Sequence, residues 1–227
     1  MPANTAGLVS KAFAVFAKDI RLELRTKYAF NTIVMFGVTT LAIVSFSLGQ
    51  SGLPTKLLAA LFWIIMFFSA TAALAQVFIR EEEAGTALAL KLTADPNAVY
   101  LGKLFFNLTL LSLLTAIITP LFFILTDAPT GSLGLFILML LLGVVGLCGA
   151  TTLVAAIISK AAVKGTLFAV LSFPILILPL TMLVTATDKA LSGEPIGAIA
   201  APVQGLIAYA VVMITASLLL FRFVWRE

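Results

Sequence analysis

The residues best suited to chemistry lie in one polar segment, 78–103, between two long apolar stretches. It holds four of the ten acidic residues, Glu81, Glu82, Glu83 and Asp95, and Arg80 precedes the three glutamates. The chain has no histidine, which is the commonest general base at neutral pH and the commonest metal ligand. Histidine-based zinc sites and Ser-His-Asp triads are therefore excluded within this chain. We interpret the segment as a docking site for a soluble partner at the membrane surface.

The remaining candidates for cofactor or substrate chemistry are weak. Gly102-Lys103 lacks the earlier glycine and the following Ser or Thr of a phosphate-binding loop, so ATP is not expected to bind here. One cysteine, Cys148, cannot form an internal disulfide. An intramembrane enzyme would need paired acids or a base beside a serine at membrane depth, and the apolar stretches show none. The thioether and thiol ligands open to haem iron are in apolar stretches, where packing is the usual role: Met35, Met66, Met139, Met182, Met213 and Cys148.

Composition indicates an all-α polytopic membrane protein. The chain is 62% apolar and 11% charged, whereas a soluble domain is nearer half apolar and a quarter charged. Stretches of about 18 or more apolar residues recur, each able to cross roughly 30 Å of hydrocarbon. We predict one transmembrane domain over 1–227 with six spans, at about 30–48, 57–78, 103–125, 133–158, 165–185 and 199–221.

The basic residues predict the orientation. Six spans place both termini on one side, and 12 of the 14 basic residues fall on that side, the two others being Lys56 and Lys189. Because positive charge collects in cytoplasmic loops, the termini and the polar segment are predicted to be cytoplasmic.

Residues 8–28 precede the first span and favour an amphipathic helix. One face carries Val9, Phe13, Phe16, Ile20 and Leu24, at helical spacing, while the lysines and arginines lie on another face. Such a helix lies in the membrane interface, its cations toward anionic headgroups. The alternative is a simple extension of the first span.

The segment 80–95 predicts a short cytoplasmic helix. The three glutamates would stand at its start, where acidic groups favour the helix dipole, and Ala84, Leu88 and Leu92 would form an apolar stripe. Asp95 as N-cap and Pro96 at the first position would begin the next helix. The functional interpretation is a coupling helix between spans 2 and 3 that a cytoplasmic ATPase grips. The alternative is a solvated connector.

Three motifs together resemble the haem exporter protein B family (CcmB), the ABC-2-type permease subunit of the cytochrome c maturation complex. They are 18–25 (Lys-Asp-Ile-Arg-Leu-Glu-Leu-Arg), 78–83 (Phe-Ile-Arg-Glu-Glu-Glu) with Gly85, and 100–103 (Tyr-Leu-Gly-Lys) followed by Asn107. The resemblance covers the whole chain in length, span count and motif placement. The chain departs from the family pattern at Pro96, which follows the leucine-rich run later than in the family.

The resemblance implies a permease subunit in the bacterial inner membrane, not an enzyme. ATP hydrolysis would belong to a cytoplasmic ABC ATPase, and the complex would handle haem or release a haem-loaded chaperone in the periplasm. The other implied partners are a haem-handling multi-span membrane subunit, a small single-span subunit and, since ABC assemblies use two permease halves, a second copy of this chain. The alternative is a generic ABC-2 permease for a lipid, drug or polysaccharide, or a scaffold without a transport role. No nucleic acid is expected as a partner, and no cofactor is expected on this chain itself.

The site residues predicted on these grounds form three groups. The ATPase-docking group is Arg80, Glu81, Glu82, Glu83, Gly85, Leu88 and Leu92. The interfacial-helix group is Lys18, Asp19, Arg21, Glu23 and Arg25. The helix-packing group is Gly143, Gly146 and Ala150, small residues that let helix backbones approach closely.

Overall fold

The computed structural model describes residues 5–48, 52–74, 76–159 and 164–226, and these residues form helices joined by short turns, with no strand. Lys160, predicted in a cytoplasmic loop, lies outside them. The helices are α1 (Thr5–Thr26), α2 (Tyr28–Leu48), α3 (Thr55–Leu74), α4 (Gln76–Glu83), α5 (Ala87–Thr93), α6 (Pro96–Thr126), α7 (Leu133–Ile158), α8 (Lys164–Leu191) and α9 (Ile196–Arg226).

Within the described residues, six segments are long and apolar enough to cross a membrane. They are Tyr28–Ser47, Thr55–Glu83, Pro96–Thr126, Leu133–Ile158, Val170–Leu191 and Ile196–Trp225. The predicted fold class, a six-span helical membrane protein, is confirmed.

Two predicted boundaries move because the sequence has no helix breaker where a loop was expected. Span 2 was predicted to end at Phe78, but helix continues to Glu83, since Arg and Glu are good helix formers. Span 5 was predicted to end at residue 185, but α8 continues to Leu191 before the turn at Gly193. There Asp188 accepts a hydrogen bond from the Thr55 hydroxyl at 2.5 Å, which satisfies its carboxylate next to α3.

The start of α6 agrees with its sequence signature. The Asp95 side chain accepts a hydrogen bond from the backbone N–H of Asn97 at 2.9 Å, and Pro96 occupies the first turn. This N-cap satisfies one of the donors left over at a helix start. It fixes where the connector ends and the third span begins.

α7 lies at the centre of the bundle and packs against α3, α6, α8 and α9. Gly143 of α7 faces the indole of Trp63 on α3, so closely that a methyl group in its place would overlap the ring. The Trp63 N–H in turn donates to the Thr187 hydroxyl of α8 at 2.8 Å. One aromatic residue thus ties three spans together, and it fits only because position 143 has no side chain.

α1 is a helix separate from the first span and packs along the start of α6. Lys27, between α1 and α2, has a left-handed backbone with φ 52°. At Gly102 of α6 an added Cβ would lie 2.7 Å from Cβ of Val15 and 2.8 Å from the carbonyl oxygen of Ala12. The glycine therefore allows the two backbones to cross in close contact.

The C-terminal end of α9 folds inward onto an aromatic cluster. Trp225 is buried and stacks on Phe221 with ring centroids 5.4 Å apart. Phe78 of α4 contacts both of these rings, and Tyr100 of α6 contacts Phe221. The cluster therefore buries aromatic area contributed by α4, α6 and α9.

Candidate functional site

Charged residues from all three sequence motifs meet at one point inside the chain. The Lys103 ammonium of α6 lies 2.9 Å from Oδ2 of Asp19 on α1 and 2.7 Å from Oε1 of Glu81 on α4. Lys18 of α1 pairs with the same two carboxylates, at 3.2 Å from Oδ1 of Asp19 and in direct contact with Glu81. We call Lys18, Asp19, Glu81 and Lys103 the ion cluster. Two cations and two anions alternate in it, so its formal charge balances.

Three of the four side chains in the ion cluster are buried. The side chain of Lys103 is 2% exposed, and those of Asp19 and Glu81 are 6% and 8% exposed, whereas Lys18 is nearly half exposed. Buried charges lose hydration, and only close opposite charges and hydrogen bonds offset that cost. Removing one member therefore leaves an uncompensated charge, which makes the cluster sensitive to any displacement of α1, α4 or α6.

Lys18 keeps its proton throughout the physiological range. Partial burial lowers the pKa of Lys18, but contacts with Glu81 and Asp19 outweigh that effect and raise it above 10.5. Since the folded-state pKa is raised, this contribution to stability is complete below 10.5 and is lost only as the pH rises through the raised value. Lys18 is consequently a cation of the cluster at neutral pH.

A second ion pair extends the site to the first span. Arg80 of α4 lies 3.2 Å from Oε2 of Glu23 on α1, and its guanidinium stacks over the Tyr28 ring at 4.7 Å. The other Glu23 oxygen accepts a hydrogen bond from the backbone N–H of Phe30 at 2.8 Å. Glu23 thus occupies the position of a capping group for the first turn of α2 while holding α4.

The turn between α4 and α5 is closed by Gly85. Its φ is 66°, a left-handed conformation that glycine adopts without steric cost. The N–H of Gly85 donates to the Glu82 carbonyl at 3.2 Å, and the N–H of Thr86 donates to the Glu81 carbonyl at 3.0 Å. This pair of bonds is the Schellman motif that ends many helices. The Thr86 hydroxyl also donates to the Glu81 carboxylate at 2.6 Å, which joins the turn to the ion cluster.

The glutamates lie at the end of a helix, which corrects the predicted arrangement. They form the last turn of α4, and the short helix α5 begins only at Ala87, after the glycine turn. Arg80 and Glu81 are engaged inside the chain, while Glu83 is exposed and Glu82 is partly buried. Acidic groups at a helix C-terminus oppose the helix dipole, and at Glu81 the two lysines of the ion cluster offset that effect.

α5 presents its apolar residues outward. Leu88 is 66% exposed and Leu92 is 79% exposed, and they lie one turn apart on the same face. The adjacent stripe is anchored, because Ala87 is buried and Lys91 lies 5.5 Å from the centre of the Trp225 ring. α5 is therefore a short helix fixed to the bundle with a bare apolar edge.

The other predicted site residues lie away from the ion cluster. Arg21 and Arg25 are exposed on α1. Gly143 packs on Trp63, an added Cβ at Gly146 would lie 3.7 Å from the Tyr209 ring of α9, and Ala150 is fully buried. The packing group thus contacts spans of its own bundle.

Lys103 and Gly102 are the site residues that the sequence analysis did not assign. Lys103 was counted among the basic residues on the predicted cytoplasmic side, but it is a buried centre of the ion cluster. The signal in the sequence was charge, because the first two motifs contain acidic residues and the third contains a lysine that can pair with them. Asn107, which follows the third motif, lies about one helical turn beyond Lys103. Its side-chain amide donates to the Thr152 hydroxyl of α7 at 2.8 Å.

Ligands for a metal or for haem iron are not grouped in the described part of the chain. No set of three or more Cys, Asp and Glu side chains there could hold a metal ion. Met66, Met139 and Cys148 are fully buried in the apolar core, and Met35 is exposed on α2. The chemistry this arrangement supports is ionic and mechanical: it holds α1, α2, α4 and α6 together beside α5.

Comparison with protein families gives a match to this chain. A family model described as CcmB protein matches residues 10–223, which is nearly the whole chain and includes all three motifs. A comparison with curated proteins found none that matches.

Proposed function

This chain belongs to the CcmB protein family, and from that premise we propose how it serves as the permease component of a haem-exporting ABC system in cytochrome c biogenesis. A separate ABC ATPase docks on α5 from the cytoplasm and hydrolyses ATP. Movement of α5 is passed through the ion cluster to α1 and α6, and through the Arg80–Glu23 pair to α2. The energy of ATP hydrolysis is used for haem handling, or for release of a haem-loaded chaperone in the periplasm.

The observation that carries this proposal is the convergence of the three family motifs on the ion cluster next to α5. A cytoplasmic partner that pulls on α5 acts on Glu81 through the Thr86 contact and the glycine turn. Glu81 is held by lysines from α1 and α6, so neither helix can stay in place if α4 moves. Packed elements with two arrangements convert a small displacement into a larger rearrangement, and the proposal assigns this role to α1, α4 and α6.

Within the proposal, the predicted docking residues divide into two roles. Leu88 and Leu92 are the contact residues, because an exposed apolar edge matches a hydrophobic pocket on the partner. Arg80 and Glu81 are positioning residues that act through α1 and α6. Gly85 fixes the angle between α4, which carries the positioning residues, and α5, which carries the contact residues.

The remaining partners follow from family membership rather than from a surface of this chain. We propose a haem-handling multi-span subunit, a small single-span subunit and a second copy of the chain in the bacterial inner membrane, with both termini cytoplasmic. Haem iron would be ligated by the haem-handling subunit, since this chain has no histidine. This chain would bind no cofactor itself.

The docking step is tested by replacing the apolar edge of α5. We expect the double variant Leu88→Glu and Leu92→Glu to reduce recovery of the ATPase with the affinity-tagged complex at least tenfold. Replacing Glu81, Glu82 and Glu83 together would also break the ion cluster, so the leucine variant isolates docking from folding.

The matched control is Ala89→Glu, which adds a carboxylate to an exposed position of α5 while keeping both leucines. It should retain most of the ATPase. Undiminished recovery of the ATPase with the double leucine variant would overturn docking at α5, while membership of the family and the permease role would stand.

A further inference from the structure

All the exposed charged residues of α1 are cations. Both acidic residues of the helix, Asp19 and Glu23, are buried and paired inside the chain. Lys11, Arg21 and Arg25 are exposed, and Lys27 follows them at the end of the helix. A sequence count gives α1 mixed charge, but the surface it offers to another molecule is positive. Such a surface matches a phosphate-bearing partner.

Next to these cations lies an apolar recess between α1 and α6. One groove, of about 600 Å³, runs between Phe13 and Phe16 of α1 and Phe105 of α6. A second, of about 300 Å³, is bounded by Leu24 of α1 and the start of α2. The two grooves meet at Thr109 and Leu113, which line both. The recess therefore has two apolar branches that join along α6.

The depth of the recess corresponds to one leaflet of a bilayer. On α6 the recess is lined from Phe105 to Leu113, a helical rise of about 12 Å. Half of the hydrocarbon thickness of a bilayer is close to this, at about 15 Å. Two apolar branches of that depth, with a cationic rim, fit the two acyl chains and the phosphate of a phospholipid.

Lys27 is the cation at the rim of the recess. Its backbone is fixed in the left-handed conformation, its N–H donating to the Glu23 carbonyl at 2.6 Å and its carbonyl accepting from the N–H of Asn31 at 3.0 Å. A residue other than glycine in this conformation is strained, and such strain collects at ligand clamps. The Lys27 side chain lines the second groove beside Leu24 and Phe30. Glu23 also lines this groove, but its carboxylate is paired with Arg80 and with the backbone N–H of Phe30.

We propose that the recess between α1 and α6 binds one anionic diacyl phospholipid, with its acyl chains in the two grooves and its phosphate at Lys27. Arg21 and Arg25 supply further positive charge along the same helix. The bound lipid would fill the space beneath α1 and so support the helix that carries Lys18 and Asp19. The assignment of this lipid to the cytoplasmic leaflet rests on the proposed orientation of the permease. The binding site itself does not depend on that orientation.

The test compares phosphatidylglycerol with phosphatidylcholine of the same acyl chains. Delipidated protein in detergent is offered each lipid, and the retained lipid is counted by native mass spectrometry. We expect one phosphatidylglycerol per chain, retained at least tenfold more than phosphatidylcholine. Lys27→Gln should reduce phosphatidylglycerol retention to the phosphatidylcholine level. Leu113→Trp, which fills the junction of the grooves, should reduce retention of both lipids.

The matched control is Lys56→Gln, which removes one exposed lysine at the start of α3. Lys56 lines neither groove of the recess. It should leave retention unchanged. Equal retention of the two lipids by the unaltered protein would overturn the proposal, as would an equal loss with Lys56→Gln. Melting curves of the variants identify any loss caused by misfolding, and if Lys27→Gln misfolds, the Leu113→Trp result decides.

Discussion

At the scale of single residues, the sensitive feature is charge buried without water. Lys103, Asp19 and Glu81 come from three separate helices and pair with one another and with Lys18, and Glu81 also accepts a hydrogen bond from the Thr86 hydroxyl. The arrangement contributes little net stability over an apolar substitute, because desolvation offsets most of the attraction. Its consequence is specificity: α1, α4 and α6 fit together in one arrangement in which all four charges are paired.

Lys103→Met should therefore destabilise the protein by about 3–5 kcal/mol, the usual cost of leaving a buried charge unpaired. Adding Glu81→Gln should restore part of that loss, since the remaining Asp19 and Lys18 again balance. Unfolding in detergent, followed by circular dichroism across the double-mutant cycle, measures the coupling. Lys56→Met is the exposed-lysine control and should change stability little. Strictly additive effects of the two core changes would contradict the ion cluster.

At the scale of elements, glycines decide which helices can touch. Gly102 lets α1 cross α6, Gly85 turns α4 into α5, and Gly143 makes room for Trp63. Only Gly85 acts through backbone conformation, whereas the other two act by having no side chain. The same residue type thus has two physical roles, and the difference between them depends on the neighbouring helix.

Gly143→Ala should destabilise the bundle by about 1–3 kcal/mol, the usual cost of overpacking, because the new methyl group overlaps the Trp63 indole. Gly146→Ala, one turn further on α7, meets nothing closer than 3.7 Å and serves as the matched control. It should be neutral or slightly stabilising, since alanine favours helix over glycine. Melting temperatures of the two purified variants measure the difference, and equal values would show that α7 and α3 are not in this close contact.

At the scale of the whole molecule, the six spans leave the polar features at two ends. α5, the ion cluster and the cationic surface of α1 lie toward the end predicted to be cytoplasmic. The turn at Gly131 and the turn at Gly193 lie at the other end and contact each other, since the N–H of Ser132 donates to the Ala190 carbonyl at 2.8 Å. In the proposed function the first end meets the ATPase, and within the described residues the second end carries these two short turns.

The orientation can be tested with single cysteines, because the chain has one natural cysteine and Cys148 is fully buried. In a Cys148→Ala background, Thr93→Cys should react with a membrane-impermeant maleimide only in inverted vesicles. Glu194→Cys, exposed in the opposite turn, should react in intact spheroplasts. Both cysteines reacting from the same side would contradict the predicted span count.

The sequence alone determined the six spans, the start of α6 and the resemblance to the family, because these depend on local information. Hydropathy over about 20 residues defines a span, and Asp95-Pro96 defines a helix start. Three short motifs resemble CcmB, and the family model matches residues 10–223. The tertiary structure alone decided which charges face inward. Lys103 and Arg25 have the same charge and both lie close to a span, yet Lys103 is buried and Arg25 is exposed. That difference arises because α1 crosses α6 at Gly102, a contact between residues distant in the chain that no local pattern encodes.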